Sequence, residues 1–185
     1  MHRLLGLGQL APGRDMKRAC LIGVESTGKS TLAQRLAARF GGVVMAEYGR
    51  SWAETLGTDF TVAALRDIAE GHLAARRQLE ADKPPLIVED TDIVMTSAWS
   101  RMLHGRRDPL LSAIKADADL YLLFTPDTPW IDDGTRQFGG AARTKFHRII
   151  ADELALRGIA PVLIAGDWDD RRLAAEAAIT ALLAR

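Results

Sequence analysis

Short apolar runs alternate with helical periods from residue 17 onward, and this alternation predicts an α/β fold with a mainly parallel sheet and helices on both faces. Two further observations narrow the class. Gly23-Val24-Glu25-Ser26-Thr27-Gly28-Lys29-Ser30 reads G-x-x-x-x-G-K-S between a strand-type run and a strong helix former, the context in which that pattern is a phosphate-cradling P-loop. Leu120-Tyr121-Leu122-Leu123-Phe124 is apolar at every position, as a strand buried on both faces is. The class predicted is a P-loop NTPase three-layer sandwich built on a five-stranded, mainly parallel sheet.

Each element has a local reason. Ala19-Cys20-Leu21-Ile22 reads as the first strand, and Thr31 to Phe40 as a helix with apolar residues at 32, 36 and 40. Gly41-Gly42 ends that helix, and Val43-Val44-Met45-Ala46 reads as the second strand. Arg50 to Leu56 reads as a short helix closed by Gly57. Thr61 N-caps a long amphipathic helix to about Ala81, with apolar residues at 62, 65, 68, 69 and 73. Lys83-Pro84-Pro85 stops it, and Leu86-Ile87-Val88 is the third strand. Helices are expected over 92–104 and 108–118, either side of Gly105. Leu120–Phe124 is the fourth strand, 140–157 a basic amphipathic helix, Pro161–Ala165 the fifth strand and Arg171–Leu183 the closing helix. Between Thr125 and about Gly140 runs a long irregular stretch with two prolines at its start and glycines toward its end, a length that usually serves function.

Composition bounds the rest. A chain of 185 residues with 48% hydrophobic and 26% charged residues is ordinary for one soluble domain. Twenty-four basic residues balance twenty-four acidic ones without a basic stripe, which argues against a nucleic-acid partner. No run is long enough to cross a membrane. Leu4, Leu5, Leu7 and Leu10 are broken up by glycines, so residues 1–16 read as a flexible N-terminal extension and 17–185 as the domain. One cysteine, Cys20, excludes a disulfide framework and fits a cytoplasmic protein; on its strand it reads as a small buried hydrophobe. The histidines at 2, 72, 104 and 147 have no metal-ligand spacing.

The chemistry concentrates beyond the carboxyl ends of the strands, where parallel sheets bind ligands. The P-loop residues Gly23, Glu25, Ser26, Thr27, Gly28, Lys29, Ser30 and Thr31 are expected to bind ATP. The loop amides face its phosphates, Lys29 reaches the β- and γ-phosphates, and the Ser30 hydroxyl sits on Mg²⁺. After the third strand comes Glu89-Asp90-Thr91-Asp92. Asp90 is the candidate second Mg²⁺ ligand, and Asp92 or Glu89 a candidate base; the bland alternative for Asp92 is a helix cap. After the second strand comes Glu47-Tyr48-Gly49-Arg50, where Arg50 can pair with phosphate and Glu47 can bind sugar hydroxyls, or the two form a surface ion pair. The long stretch carries Asp127, Trp130, Asp132, Asp133, Arg136 and then Arg143. Arginines closing over the γ-phosphate are what a lid needs, and Trp130 is either a base-stacking platform or a plug on the core.

These segments together carry a resemblance. The motif at 23–30, Glu-Tyr-Gly-Arg at 47–50, Asp-Thr-Asp at 90–92 with Thr96, and Thr-Pro-Trp-Ile-Asp-Asp-Gly-Thr-Arg at 128–136 resemble the ribosylnicotinamide kinase domain of NadR-type bacterial proteins. The resemblance runs over roughly residues 17–180 and implies ATP, Mg²⁺ and transfer of the γ-phosphoryl group to the 5′-hydroxyl of nicotinamide riboside, a small nucleoside-like substrate. It implies a stand-alone kinase-like domain, since the chain lacks room for the further domains of multidomain relatives. Where the family tends to carry a tryptophan just before Glu-Tyr-Gly-Arg, this chain has Met45-Ala46, with Trp52 and Trp99 as replacements from elsewhere. The other reading is an ATP-binding regulatory module with no small acceptor, or a kinase for a different nucleoside or nucleotide. Oligomeric state is left open.

Overall fold

A computed structural model describes residues 16–131 and 137–185. The expected N-terminal extension and Arg136 lie outside the described residues. The strands are β1 (Lys17–Gly23), β2 (Val43–Met45), β3 (Leu86–Asp90), β4 (Leu120–Phe124) and β5 (Val162–Ile164). The helices are α1 (Lys29–Phe40), α2 (Tyr48–Leu56), α3 (Val62–Ala81), α4 (Ile93–His104), α5 (Pro109–Ala113), α6 (Gly140–Leu156) and α7 (Trp168–Leu183). The strands form one sheet in the order β2-β3-β1-β4-β5, and every pairing is parallel. The P-loop NTPase sandwich expected from the sequence is the fold observed.

Several boundaries shift from expectation by a residue or more, and three of the shifts have a structural reason. The third strand runs on through Glu89 and Asp90, so both carboxylates belong to β3 and, by strand alternation, point to opposite faces. The helix expected over 108–118 stops at Ala113, because Ile114 turns to extended backbone and Arg157 donates to the carbonyls of Leu111 and Ile114. The closing helix starts earlier, at Trp168, where Asp167 and Asp170 form a reciprocal capping box.

The sheet separates two cores. On one face Ala19, Leu21, Leu86, Val88, Leu122 and Phe124 pack against α1 and α7. On the other, Cys20, Ile22, Tyr121 and Leu123 meet α4 and α6, and a satellite cluster joins α3, α4 and α5. β1 lies between β3 and β4, so the chain direction of the crossovers reverses at its carboxyl end. That switch point opens a crevice, and the P-loop leaves β1 there.

Candidate active site

The phosphate loop is built by backbone conformations that few residues accept. Gly23 has φ 150°, and a Cβ there would sit 2.7 Å from the Phe124 carbonyl oxygen, so only glycine fits where β1 leaves β4. Ser26 at φ 58° and Gly28 at φ 84° turn the loop into a concave run that ends on the N-terminus of α1. The Thr27 hydroxyl and Lys29 Nζ each donate to the Val24 carbonyl at 2.9 Å, folding both side chains against the loop. Ser30 and Thr31 are exposed in the first turn of α1 and line the cleft above it.

That cleft, of about 180 Å³, runs from the P-loop to an aromatic recess between α2, α3 and α4. Its far wall is made by Tyr48, Phe60, Trp99 and Phe146, with His72 and Met95 between. Trp99 is the hub of this wall, its ring centroid 5.4 Å from Phe60, 5.0 Å from Phe138 and 5.0 Å from Phe146. Tyr48 reaches the wall because α3 has Gly71 opposite it: a Cβ at that position would lie 2.2 Å from the tyrosine ring. Of the two candidate replacements for the missing tryptophan, Trp99 lines the cleft, whereas Trp52 packs into the satellite core.

Glu47, Arg50 and Asp92 also line the cleft, so the structure brings the second-strand and third-strand segments together at the P-loop. Glu47 precedes α2, half-buried, with its carboxylate free of helix capping. Burial, and then the charge of Asp90, push it up to about pH 7, against the pull of Lys29 and Arg50. Asp92 is otherwise engaged. Its Oδ1 accepts from the Val94 amide at 2.9 Å as the N-cap of α4, and its Oδ2 accepts from the Tyr121 hydroxyl at 2.6 Å. Burial raises its pKa, while the Tyr121 and Val94 hydrogen bonds hold it down.

Glu89 does not line the cleft. It is fully buried, paired with Arg18 at 3.3 Å, and lies with Cys20 and Asp92 in a tight buried group. Burial and the neighbouring Asp92 lift it to about 7. Its Oε1 faces the Arg18 guanidinium, while its Oε2 is buried without a hydrogen-bond partner. The same burial pushes the Cys20 thiol up, in keeping with a small core residue.

Asp90 lies on the other side of β3, opposite Leu21 in register, and its Oδ1 is buried without a hydrogen-bond partner. A buried carboxylate oxygen without a partner at the carboxyl end of β3, with an exposed serine hydroxyl in the first turn of α1, offers the hard oxygen donors that suit Mg²⁺. Trp130 stands against Gly139, whose added Cβ would lie 3.5 Å from the indole, and it does not line the cleft. Arg143, at the start of α6, is buried against backbone carbonyls of the P-loop and of the segment after β4.

Two functional candidates lay outside the sequence reading. His72 stands with Leu65, Ile68 and Ala69 on one buried stripe of α3, and its Nε2 is buried without a partner at the cleft. A histidine at i+7 on an apolar stripe was the available signal. Burial, then Arg76 and Arg18, hold it down to about pH 4, so it is neutral. Trp168, after Gly166-Asp167, stands over Gly28, where an added Cβ would lie 3.0 Å from the indole, and carries Arg35 over its ring at 5.3 Å. With Thr128, Pro129 and Ile131 it borders a second, shallow depression on the outer side of the P-loop.

Among the described residues, no helix is long and apolar enough to cross a membrane. A family model described as an AAA domain matches residues 18–171. The chain is 31% identical over 166 residues to the trifunctional NAD biosynthesis/regulator protein NadR of Escherichia coli (strain K12), a match covering 85% of this chain and 40% of that protein. The chain thus spans less than half the length of the curated relatives it matches. A crystal structure of NadR protein in complex with NR superposes with a TM-score of 0.80 at 24% identity, over 92% of this chain and 52% of that one. Thymidylate kinase from Ehrlichia chaffeensis superposes with a TM-score of 0.60 at 13% identity, over 91% of this chain and 99% of that one. The P-loop, the parallel sheet and the match across most of the chain agree: this chain belongs to the AAA-domain family and, within the P-loop fold, resembles the NadR proteins.

Proposed function

We propose that the chain is an ATP-dependent phosphotransferase that moves the γ-phosphoryl group of ATP to a hydroxyl of a nucleoside, with nicotinamide riboside the first candidate. The observation that carries this reading is the single cleft in which a complete P-loop, two carboxylates and an aromatic recess face one another. A nucleotide switch needs the first of these; a recess of Tyr48, Phe60 and Trp99 beyond it suits the flat ring of a second substrate.

In this reading the loop amides and Lys29 take the phosphates, and the shallow depression by Trp168 takes the adenine. Ser30 and Asp90 would hold Mg²⁺, which when bound would neutralise charge on the phosphate oxygens. Glu47 accepts the proton of the acceptor hydroxyl, because it combines access to the cleft with a carboxylate not spent on a cap. Asp92 sets the N-terminus of α4 and thereby the position of Thr96 and Trp99. Arg50 faces the phosphates from α2. The sheet's two sides bring donor and acceptor together, and positioning with charge stabilisation does the rest. Similarity to NadR, one of whose structures is described as a complex with NR, supports nicotinamide riboside as acceptor. The missing tryptophan before Glu47 is offset by Trp99, which reaches the recess from α4.

A nucleoside panel assayed for ADP release with Mg-ATP tests the proposal. Stimulation by nicotinamide riboside above other nucleosides is the expected result. Stimulation by another nucleoside alone would keep the kinase and replace the acceptor, and no stimulation by any would remove the acceptor site.

A further inference from the structure

The arginine at the start of α6 has an unexpected set of partners. Arg143 Nε donates to the Glu25 carbonyl at 3.2 Å, and its Nη2 to the Glu25 carbonyl at 3.1 Å and the Ser26 carbonyl at 3.4 Å. Its Nη1 donates to the carbonyls of Pro126 and Thr128. The side chain is 6% exposed. Thr128 completes the tie: its hydroxyl donates to the Ser26 carbonyl at 2.6 Å and accepts from Arg143 Nη2 at 3.0 Å.

The backbone held this way is the part of the P-loop that least wants its shape. Ser26 is at φ 58°, a left-handed conformation that costs a non-glycine residue roughly 1 kcal/mol or more. A peptide plane has its carbonyl and its following amide on opposite sides. Fixing the Glu25 and Ser26 carbonyls outward, on a buried guanidinium, fixes the amides of Ser26 and Thr27 toward the concave side of the loop, where phosphates bind. The planar fork of arginine can span two successive carbonyls and two more from the next segment, which an ammonium cannot.

We propose that Arg143 is a positioning residue that pre-forms the phosphate cradle by holding the Glu25 and Ser26 carbonyls, with Thr128 as its partner, and is not a γ-phosphate ligand. This rests on the reading of the P-loop as a nucleotide site. It separates from the lid role expected of Arg143 in the sequence, because a pre-formed cradle serves the diphosphate as much as the triphosphate. A γ-phosphate ligand serves only the triphosphate.

Calorimetric titration of Mg-ADP and Mg-ATP into the wild type, Arg143→Ala, Arg143→Lys, Thr128→Val and the combined Arg143→Ala, Thr128→Val proteins tests the proposal. Arg143→Ala is expected to weaken both nucleotides by a similar factor, on the order of 10-fold, with little recovery in Arg143→Lys. Thr128→Val, an uncharged change that removes part of the same tie, is expected to weaken ADP in the same direction by a smaller factor, and less than additively with Arg143→Ala. Loss of ATP affinity with ADP unchanged would overturn the proposal in favour of a direct γ-phosphate contact. Unchanged ADP affinity in Thr128→Val would overturn it even if Arg143→Ala proved too unstable to titrate. A lower melting temperature with both affinities intact would reduce Arg143 to a structural tie. A wild-type protein that bound neither nucleotide would instead remove the nucleotide reading on which the proposal rests.

Discussion

The two faces of the sheet differ in what they bury. The face under α1 and α7 is mainly apolar, with Leu21, Leu32, Leu36, Val88 and Ile179 in one cluster and Arg171 of α7 a buried charge, and it delivers the P-loop and Asp90 at its carboxyl edge. The face under α3, α4 and α6 buries Arg18, His72, Glu89, Asp92, Ser97 and Glu153 among its apolar residues. Several of these polar groups are matched to a partner, as Glu153 is by Arg101 and Arg107, and Asp92 by Tyr121, whereas His72 Nε2 and Glu89 Oε2 are buried without a hydrogen bond. The apolar face supplies a generic phosphate site on a rigid support. The polar face borders the aromatic recess that the proposed function gives to the acceptor, where recognition needs placed hydrogen-bonding groups and aromatic surface.

The first prediction breaks the apolar side. Lys29→Ala is expected to lower kcat by on the order of 10³-fold and to weaken ATP binding, with the melting temperature nearly unchanged, since its ammonium bonds only the Val24 carbonyl among the hydrogen bonds described. Steady-state kinetics together with a thermal melt check it. The second prediction sharpens the boundary between the faces. Glu47→Gln is expected to cost roughly 10²-fold in kcat with ATP affinity retained. Asp92→Asn, which keeps the cap of α4, is expected to cost less than about 10-fold. If the two losses came out reversed, Asp92 would be the base and Glu47 a binding residue.

Legibility in the sequence followed the same division. The apolar face follows from period and motif alone: β1, α1, β3 and β4 are continuous apolar or strongly amphipathic, and G-x-x-x-x-G-K-S fixes what lies between them. The polar face was legible only in pieces. Asp92 was visible both as a cap and as a base, and its spacing to it could not show that Tyr121, on β4, takes its second oxygen. Trp99 and Thr96 follow Asp92 at one-face spacing on α4, but that they meet Tyr48 and Phe60 depends on how α2 and α3 fold over them. Arg143 reads as a phosphate-seeking cation in sequence because carbonyl partners leave no trace in composition. α5 was overextended for a similar reason: Arg157, far along the chain, ends it.

The polar face also has a pH signature. His72 is held down to about pH 4 in the fold against an ordinary 6.5, so the unfolded chain takes up its proton first as pH falls. The stability its neutral form brings is present above about pH 6.5 and is lost between there and pH 4, by about 2 kcal/mol between pH 7 and pH 5. Thermal melts across that window should show a shallower acid decline in His72→Gln than in the wild type. Equal declines would mean that His72 keeps its ordinary basicity. The smallest effect expected is on the recess itself. Trp99→Ala should raise the KM for the acceptor about 10-fold while leaving that for ATP within a factor of about two. A matched rise in both would make Trp99 a support for the whole crevice rather than a wall of the acceptor site.

The central claim is that the cleft joins a nucleotide to a small acceptor, and product stoichiometry tests it most directly. With Mg-ATP and the best acceptor from the panel, ADP, phosphorylated nucleoside and inorganic phosphate should be quantified together from one reaction by phosphorus NMR. The account predicts one phosphorylated nucleoside for each ADP, with little inorganic phosphate. ADP matched by inorganic phosphate, with the nucleoside untouched, would contradict it and make the chain a nucleotide-hydrolysing module.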